Sequence, residues 1–142
     1  LFFTPELSLK TGTHTIIKPN NNDREDIKKA ISILGKLNGY NFSQGIVVKN
    51  KKILEIEGNN GTKKMLEKIK KNFLFQNSVL VKFPKKKQDL RIDLPTIGLE
   101  TLSQCKKAGV KGIVLKNKQN ICLNKKMLIE KANKNKMFIL VK

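Results

Sequence analysis

Apolar residues along this chain recur in two rhythms, and the switches between them mark out the elements. Ile27, Ala30, Ile31, Leu34 and Leu37 follow one another at three- and four-residue spacing, which is one face of a helix. Asn22 with Glu25 reads as its capping box, in an acidic first turn (Asp23, Glu25, Asp26), and Gly39 closes it. Gly45–Lys49 and Ile53–Glu57 are β-type runs joined at Asn50-Lys51-Lys52, a hairpin pattern. Met65, Leu66, Ile69 and Phe73 restore the helical rhythm behind Thr62, a residue suited to capping. Val79–Val81 is a short apolar run of the kind that forms a buried strand. Ile97-Gly98 then opens a helix to about Ala108, with Leu99, Leu102 and Cys105 inward and Gly109 as its stop. Lys111–Leu115 and Asn120–Leu123 read as strands around a polar turn. Asn124 caps a last helix facing inward through Met127, Leu128 and Ala132, and Met137–Val141 is a final strand. The order is roughly α-β-β-α-β-α-β-β-α-β, which predicts a single α/β domain: a mixed sheet with helices packed on it. Residues 1–22 read as an irregular lead-in, and 23–142 as the domain proper.

Composition narrows the class. The chain has 142 residues, 39% of them hydrophobic, with no run approaching the roughly 20 apolar residues of a membrane span. It starts at Leu1 without the features of a signal peptide, and is expected to be a piece of a longer protein. The net charge of +19 invites a nucleic-acid reading, but only Arg24 and Arg91 are arginine. Nucleic-acid readers favour the bidentate arginine fork and exposed aromatics, and aromatics here are 6% and scattered. Abundant lysine and asparagine also follow from AT-rich codons. A mildly anion-seeking surface therefore describes the charge better, and nucleic acid is disfavoured as a partner. Cys105 and Cys122 form no CxxC pair, and the lone histidine, His14, has no second ligand type beside it; both thiols are expected to be buried in a reducing cytoplasm.

Candidate chemistry concentrates after the Val79–Val81 strand. Lys82, Lys85, Gln88, Asp89, Arg91 and Asp93 fall within twelve residues, ended by Pro95. In an extended segment residues 89, 91 and 93 project to one face. That face either holds a metal–phosphate pair, with carboxylates for Mg²⁺ or Mn²⁺ and arginine for phosphate, or forms a self-satisfied Asp–Arg–Asp cluster. Gly58-Asn59-Asn60-Gly61-Thr62 leads into a helix N-terminus, a ready anion site, or equally a plain connection. No P-loop or dinucleotide fingerprint is present, and a Ser/His/Asp triad cannot be assembled around His14. Metal-assisted hydrolysis at phosphorus suits these residue types better than acyl transfer.

The run Lys82-x-x-Lys85-x-x-Gln88-Asp89-x-Arg91-x-Asp93-Leu94-Pro95-x-Ile97-Gly98 resembles the signature of the LpxI-type UDP-2,3-diacylglucosamine pyrophosphatases. Pro5-Glu6-Leu7, Gln44 with Val47-Val48, Glu57, Gly61-Thr62 with Met65, and Gly112-Ile113 extend the likeness over nearly the whole chain. The resemblance implies a metal-dependent hydrolase cleaving UDP-2,3-diacylglucosamine to 2,3-diacylglucosamine 1-phosphate (lipid X) and UMP, in lipid A biosynthesis of a Gram-negative bacterium. It implies that this chain is the C-terminal domain alone, that an N-terminal domain is its partner, and that the protein is cytoplasmic and peripheral to the inner membrane. A homo-oligomer is allowed for. Carried over by position, Asp89, Arg91 and Asp93 are the catalytic candidates, with Asp89 and Asp93 on Mg²⁺ or Mn²⁺. Lys82, Lys85, Gln88, Gly61, Thr62 and Gln44 are the substrate-binding candidates. The family's Glu-Gly-Thr-Asp, however, reads Asn60-Gly61-Thr62-Lys63, so the aspartate the family uses in catalysis falls on Lys63. The alternative implied by that departure is a non-catalytic domain that binds nucleotide-lipid or polyanions.

Overall fold

The computed structural model describes residues 8–36, 44–58, 60–69, 72–84, 95–118 and 120–142. Among the described residues, eight strands and four α-helices follow the expected alternation, with the dipeptide strands at Gly12–Thr13 and Thr96–Ile97 added. They are β1 (Gly12–Thr13), α1 (Asn21–Lys36), β2 (Gln44–Lys49), β3 (Lys52–Ile56), α2 (Gly61–Ile69), β4 (Ser78–Phe83), β5 (Thr96–Ile97), α3 (Leu99–Ala108), β6 (Val110–Leu115), β7 (Ile121–Cys122), α4 (Lys125–Lys134) and β8 (Phe138–Val141). Six strands form one mixed sheet in the order β1-β8-β6-β4-β2-β3, and β5 pairs with β7 beside it. The β4–β6 and β6–β8 pairs are parallel, and β1–β8, β2–β4 and β2–β3 antiparallel. Hence β3, β4, β6 and β8 run the same way, and their C-terminal ends share one edge with the start of β2.

Two-residue alternation on these strands makes two cores. Ile46, Val48, Val79, Val81, Val114 and Phe138 face α1, which supplies Ile27, Ala30 and Leu34. Val47, Leu80, Ile113, Leu115 and Ile139 face the other way, toward Leu66 and Ile69 of α2, Leu102 and Cys105 of α3, and Leu128 and Ala132 of α4. The strands are covered on both faces, so β4, β6 and β8 each carry a continuous apolar run, Val79–Val81, Ile113–Leu115 and Phe138–Val141. Where Gly112 of β6 pairs with Phe138 of β8, the ring lies in the space a side chain at 112 would need.

Several local expectations change. The capping box is Asn20 with Asp23, two residues before Asn22 and Glu25: the Asp23 N–H donates to Asn20 Oδ1 (2.8 Å) and the Asn20 N–H to Asp23 Oδ2 (2.9 Å). Asp23 also pairs with Lys111 on β6 at 2.7 Å, a contact that fixes this register over the alternative. Of the lead-in, Gly12–Thr13 pair with β8, and Asn21 already begins α1. Further on, Thr96–Ile97 are strand, with the helix starting after Gly98. Asn124 sits at the α4 N-cap in a left-handed conformation (φ 53°) with no side-chain cap bond, and Met127 is 55% exposed because Leu128 and Ala132 take the inward face. The helix carrying Met65, Leu66 and Ile69 ends there, and Phe73 begins a separate 3₁₀ turn. Leu37 and Gly39 lie outside the described residues.

The hairpin reading holds in detail. Asn50 and Lys51 both have positive φ (50° and 63°), the arrangement of a type I′ turn, and Lys49 pairs with Lys52. The N–H groups of Asn50 and Lys51 donate to the Asp26 carboxylate (3.1 and 2.6 Å), tying α1 to the turn. The lead-in is fastened as firmly. Leu9 is buried, and its N–H donates to Asn120 Oδ1 at 3.0 Å; Lys125 Nζ donates to the Ser8 carbonyl at 3.1 Å. Thr15 Oγ1 accepts from the Ile139 N–H at 3.1 Å.

Candidate functional site

Three elements converge at the carboxyl edge of the sheet, where binding groups of α/β domains collect. Lys82 stands next to last on β4, paired across to Gly45 of β2. Glu57 follows β3 directly, held by a backbone bond from its N–H to the Gly45 carbonyl (2.8 Å). Thr62 lies in the first turn of α2, after Gly61, whose φ of 82° bends the chain into the helix. Their side chains meet. Thr62 Oγ1 donates to Glu57 Oε1, and Lys82 Nζ donates to Thr62 Oγ1. The Lys82 ammonium lies 3.6 Å from Glu57 Oε1 in an ion pair whose side chains are 12% and 3% exposed. The expectation that Thr62 caps α2 through its side chain is therefore corrected: its hydroxyl donates its hydrogen bond to the Glu57 carboxylate instead.

Of the candidates read from the sequence, Lys82 and Thr62 are in direct contact, with Gly61 beside them. Gln44 begins β2 opposite Phe83, one residue from the Gly45–Lys82 pair. Lys85, Gln88, Asp89, Arg91 and Asp93 lie outside the described residues. The described chain leaves this edge after Pro84 and resumes at Pro95. There the Pro95 carbonyl accepts from the Ile121 N–H (2.9 Å), and the Ile97 carbonyl from the Leu123 N–H (2.9 Å). Lys63 is exposed and lines a groove of about 260 Å³ between α2 and α3, with Glu67, Glu100 and Lys107 among its neighbours.

Glu57 was not among the residues expected to carry function. The signal was available: a carboxylate directly after a strand, followed by a glycine-containing loop and a threonine five residues on. What the sequence could not give was the pairing of β2 with both β3 and β4, which sets Glu57 beside Lys82. As a metal site the described residues do not suffice. No group of three or more His, Cys, Asp or Glu occurs among them, and Glu57 is already engaged by Lys82 and Thr62. The two cysteines are separate and buried, and burial pushes both thiols up to about 12, against a partial opposing pull from Lys82 on Cys105 and from Lys125 on Cys122. No described helix is long and apolar enough to cross a membrane.

The UDP-2,3-diacylglucosamine pyrophosphatase LpxI of Caulobacter vibrioides is 30% identical over 142 residues, a match covering 95% of this chain and 51% of that protein. The chain thus spans about half the length of the curated relative it matches. The family model of the LpxI C-terminal domain matches residues 10–140, from the lead-in that pairs with β8 into β8 itself. The chain belongs to the LpxI C-terminal domain family.

Proposed function

We propose that the protein containing this chain hydrolyses UDP-2,3-diacylglucosamine to 2,3-diacylglucosamine 1-phosphate and UMP, and that this chain supplies the phosphate-facing half of the site. The observation that carries the reading is the fork of Lys82 and Thr62 on buried Glu57, at the strand end that precedes Lys85–Asp93 in the sequence. In the reaction water adds across the P–O–P bond, giving two phosphate monoesters. Lys82, with Lys85, neutralises phosphate oxygens. The backbone N–H of Thr62 offers a donor at the start of α2, while that of Gly61 is engaged by the Gly58 carbonyl (3.2 Å) and shapes the turn. Arg91 clamps a phosphate, Gln88 and Gln44 orient the substrate, and Asp89 and Asp93 position water. A divalent cation, Mg²⁺ or Mn²⁺, would have to draw on Asp89 and Asp93, since the described residues provide no ligand set. The acylated substrate would bring the protein to the inner-membrane surface, on the cytoplasmic side.

One observation favours a second reading, a domain that binds nucleotide-lipid without cleaving it. Lys63 places a further cation next to Thr62, and Glu57, the carboxylate described at this edge, is held by Lys82. UMP release by the full-length protein with Mg²⁺ or Mn²⁺, compared with Lys63→Asp, separates the two. Release by wild type supports hydrolysis; a silent wild type with a Lys63→Asp variant that gains activity identifies a degenerate enzyme. Residues 1–142 alone are expected to release no UMP, and substantial metal-dependent release by them would show that no other half is needed.

A further inference from the structure

We propose that Glu57 is a positioning residue, which sets the Lys82 ammonium for a phosphate ligand with the Thr62 hydroxyl as the bridge between them; this rests on the phosphate-binding reading of the same edge. A carboxylate with 3% of its side chain exposed has lost nearly all its hydration, and a single ammonium at 3.6 Å is an ordinary compensation. Buried pairs of this kind are commonly no more stabilising than apolar residues of the same size, so stability alone does not account for the pair.

Geometry gives it a use. Glu57 Oε1 accepts a hydrogen bond from the Thr62 hydroxyl, and Lys82 donates to the same Thr62 oxygen. The hydroxyl therefore cannot rotate its proton toward a phosphate, and its orientation is set by Glu57. The ammonium, bound to Thr62 and drawn toward Glu57, keeps a proton for an outside acceptor. The carboxylate is itself confined: a Cβ on Gly45 would lie 3.2 Å from Glu57 Oε1 and 3.4 Å from Leu80 Cδ1. Glu57 touches no ligand in this scheme; it acts through Lys82.

The test uses the full-length protein, with UMP release and UMP affinity by calorimetry as readouts and thermal melting as a control, on Glu57→Gln, Lys82→Met and the double variant. Glu57→Gln keeps an acceptor for Thr62 and removes the charge that draws Lys82. Each single variant is expected to lower kcat/KM and UMP affinity about tenfold, as loss of one charge-assisted hydrogen bond does. The double variant is expected to be no worse than Lys82→Met, because Glu57 has nothing left to position. Multiplicative losses in the double variant, or a Glu57→Gln protein within about twofold of wild type, would overturn the proposal while leaving the hydrolase reading intact. A wild type that binds UMP without releasing it, with the same non-additive pattern in affinity, would overturn the hydrolase reading and sustain Glu57. A wild type that does neither overturns both.

Discussion

Gly112→Ala tests the packing of the sheet at its tightest point. In the parallel β6–β8 pair Gly112 sits opposite Phe138, and a Cβ at 112 would fall on Cζ, Cε1 and Cε2 of that ring, well inside 3.0 Å. The ring is 1% exposed and packed in the α1-facing core with Ile27 and Ala30, so it has no solvent to retreat into. Either the ring leaves its well or β8 moves away from β6. Overpacking of this kind costs about 1–3 kcal/mol. Outright loss of the ring's contacts, as in a Phe→Ala change, costs about 3–5 kcal/mol and sets the ceiling. Three clashing ring carbons place Gly112→Ala near the meeting of those ranges, about 3 kcal/mol. With a urea slope of about 2 kcal/mol per molar, the unfolding midpoint should fall by about 1.5 M. Phe138→Leu in the Gly112→Ala background removes the clashing carbons, so the double variant should cost at least about 1 kcal/mol less than the two single losses added. A Gly112→Ala midpoint unchanged within error, or strict additivity in the double variant, would show that the Phe138 ring does not fill the space beside Gly112.

The buried thiols and the hairpin turn give two more tests. Burial holds Cys105 and Cys122 in the neutral form up to about 12, from an ordinary 9.0, so the stability tied to them is full below about pH 9 and is lost as pH rises toward 12. Urea titrations across that window should show a shallower decline for Cys105→Ala/Cys122→Ala than for wild type; identical slopes would count against it. Asp26→Ala strips the acceptors from the Asn50 and Lys51 N–H groups and should cost about 1.5–3 kcal/mol, with faster amide exchange confined to the turn. Unchanged exchange at Asn50 and Lys51 would mean that the turn stands without α1.

The larger elements were legible because burial on both faces of a strand, or on one stripe of a helix, leaves a periodic mark. Val79–Val81, Ile113–Leu115 and the Ile27/Ala30/Leu34 stripe all carry it. What escaped was set by partners far along the chain. The run Asn20–Asn22 offers several registers for a capping box, and the Asp23–Lys111 pair decides between them. A two-residue strand such as β1 or β5 has no period to read; Gly12–Thr13 become a strand only because Leu140 and Val141 are there. At the site, Lys82 and Thr62 were visible as residue types, but their meeting on Glu57 depends on β2 lying between β3 and β4.

The place of β8 has a consequence for how the chain reaches this fold. The last strand of the sequence is an inner strand of the sheet, flanked by β6 on one side and by the lead-in strand β1 on the other. Residues near the two ends of the chain must therefore find each other, Gly12 against Val141 and Leu9 against Asn120, before the edge beyond β6 is complete. Closing so long a loop carries an entropic cost that short hairpins avoid, and slows folding accordingly. During synthesis β6 would present a bare strand edge until Phe138–Val141 leave the ribosome. In that interval the chain is open to pairing with another strand along β6, in addition to the edge that β3 forms in the finished sheet.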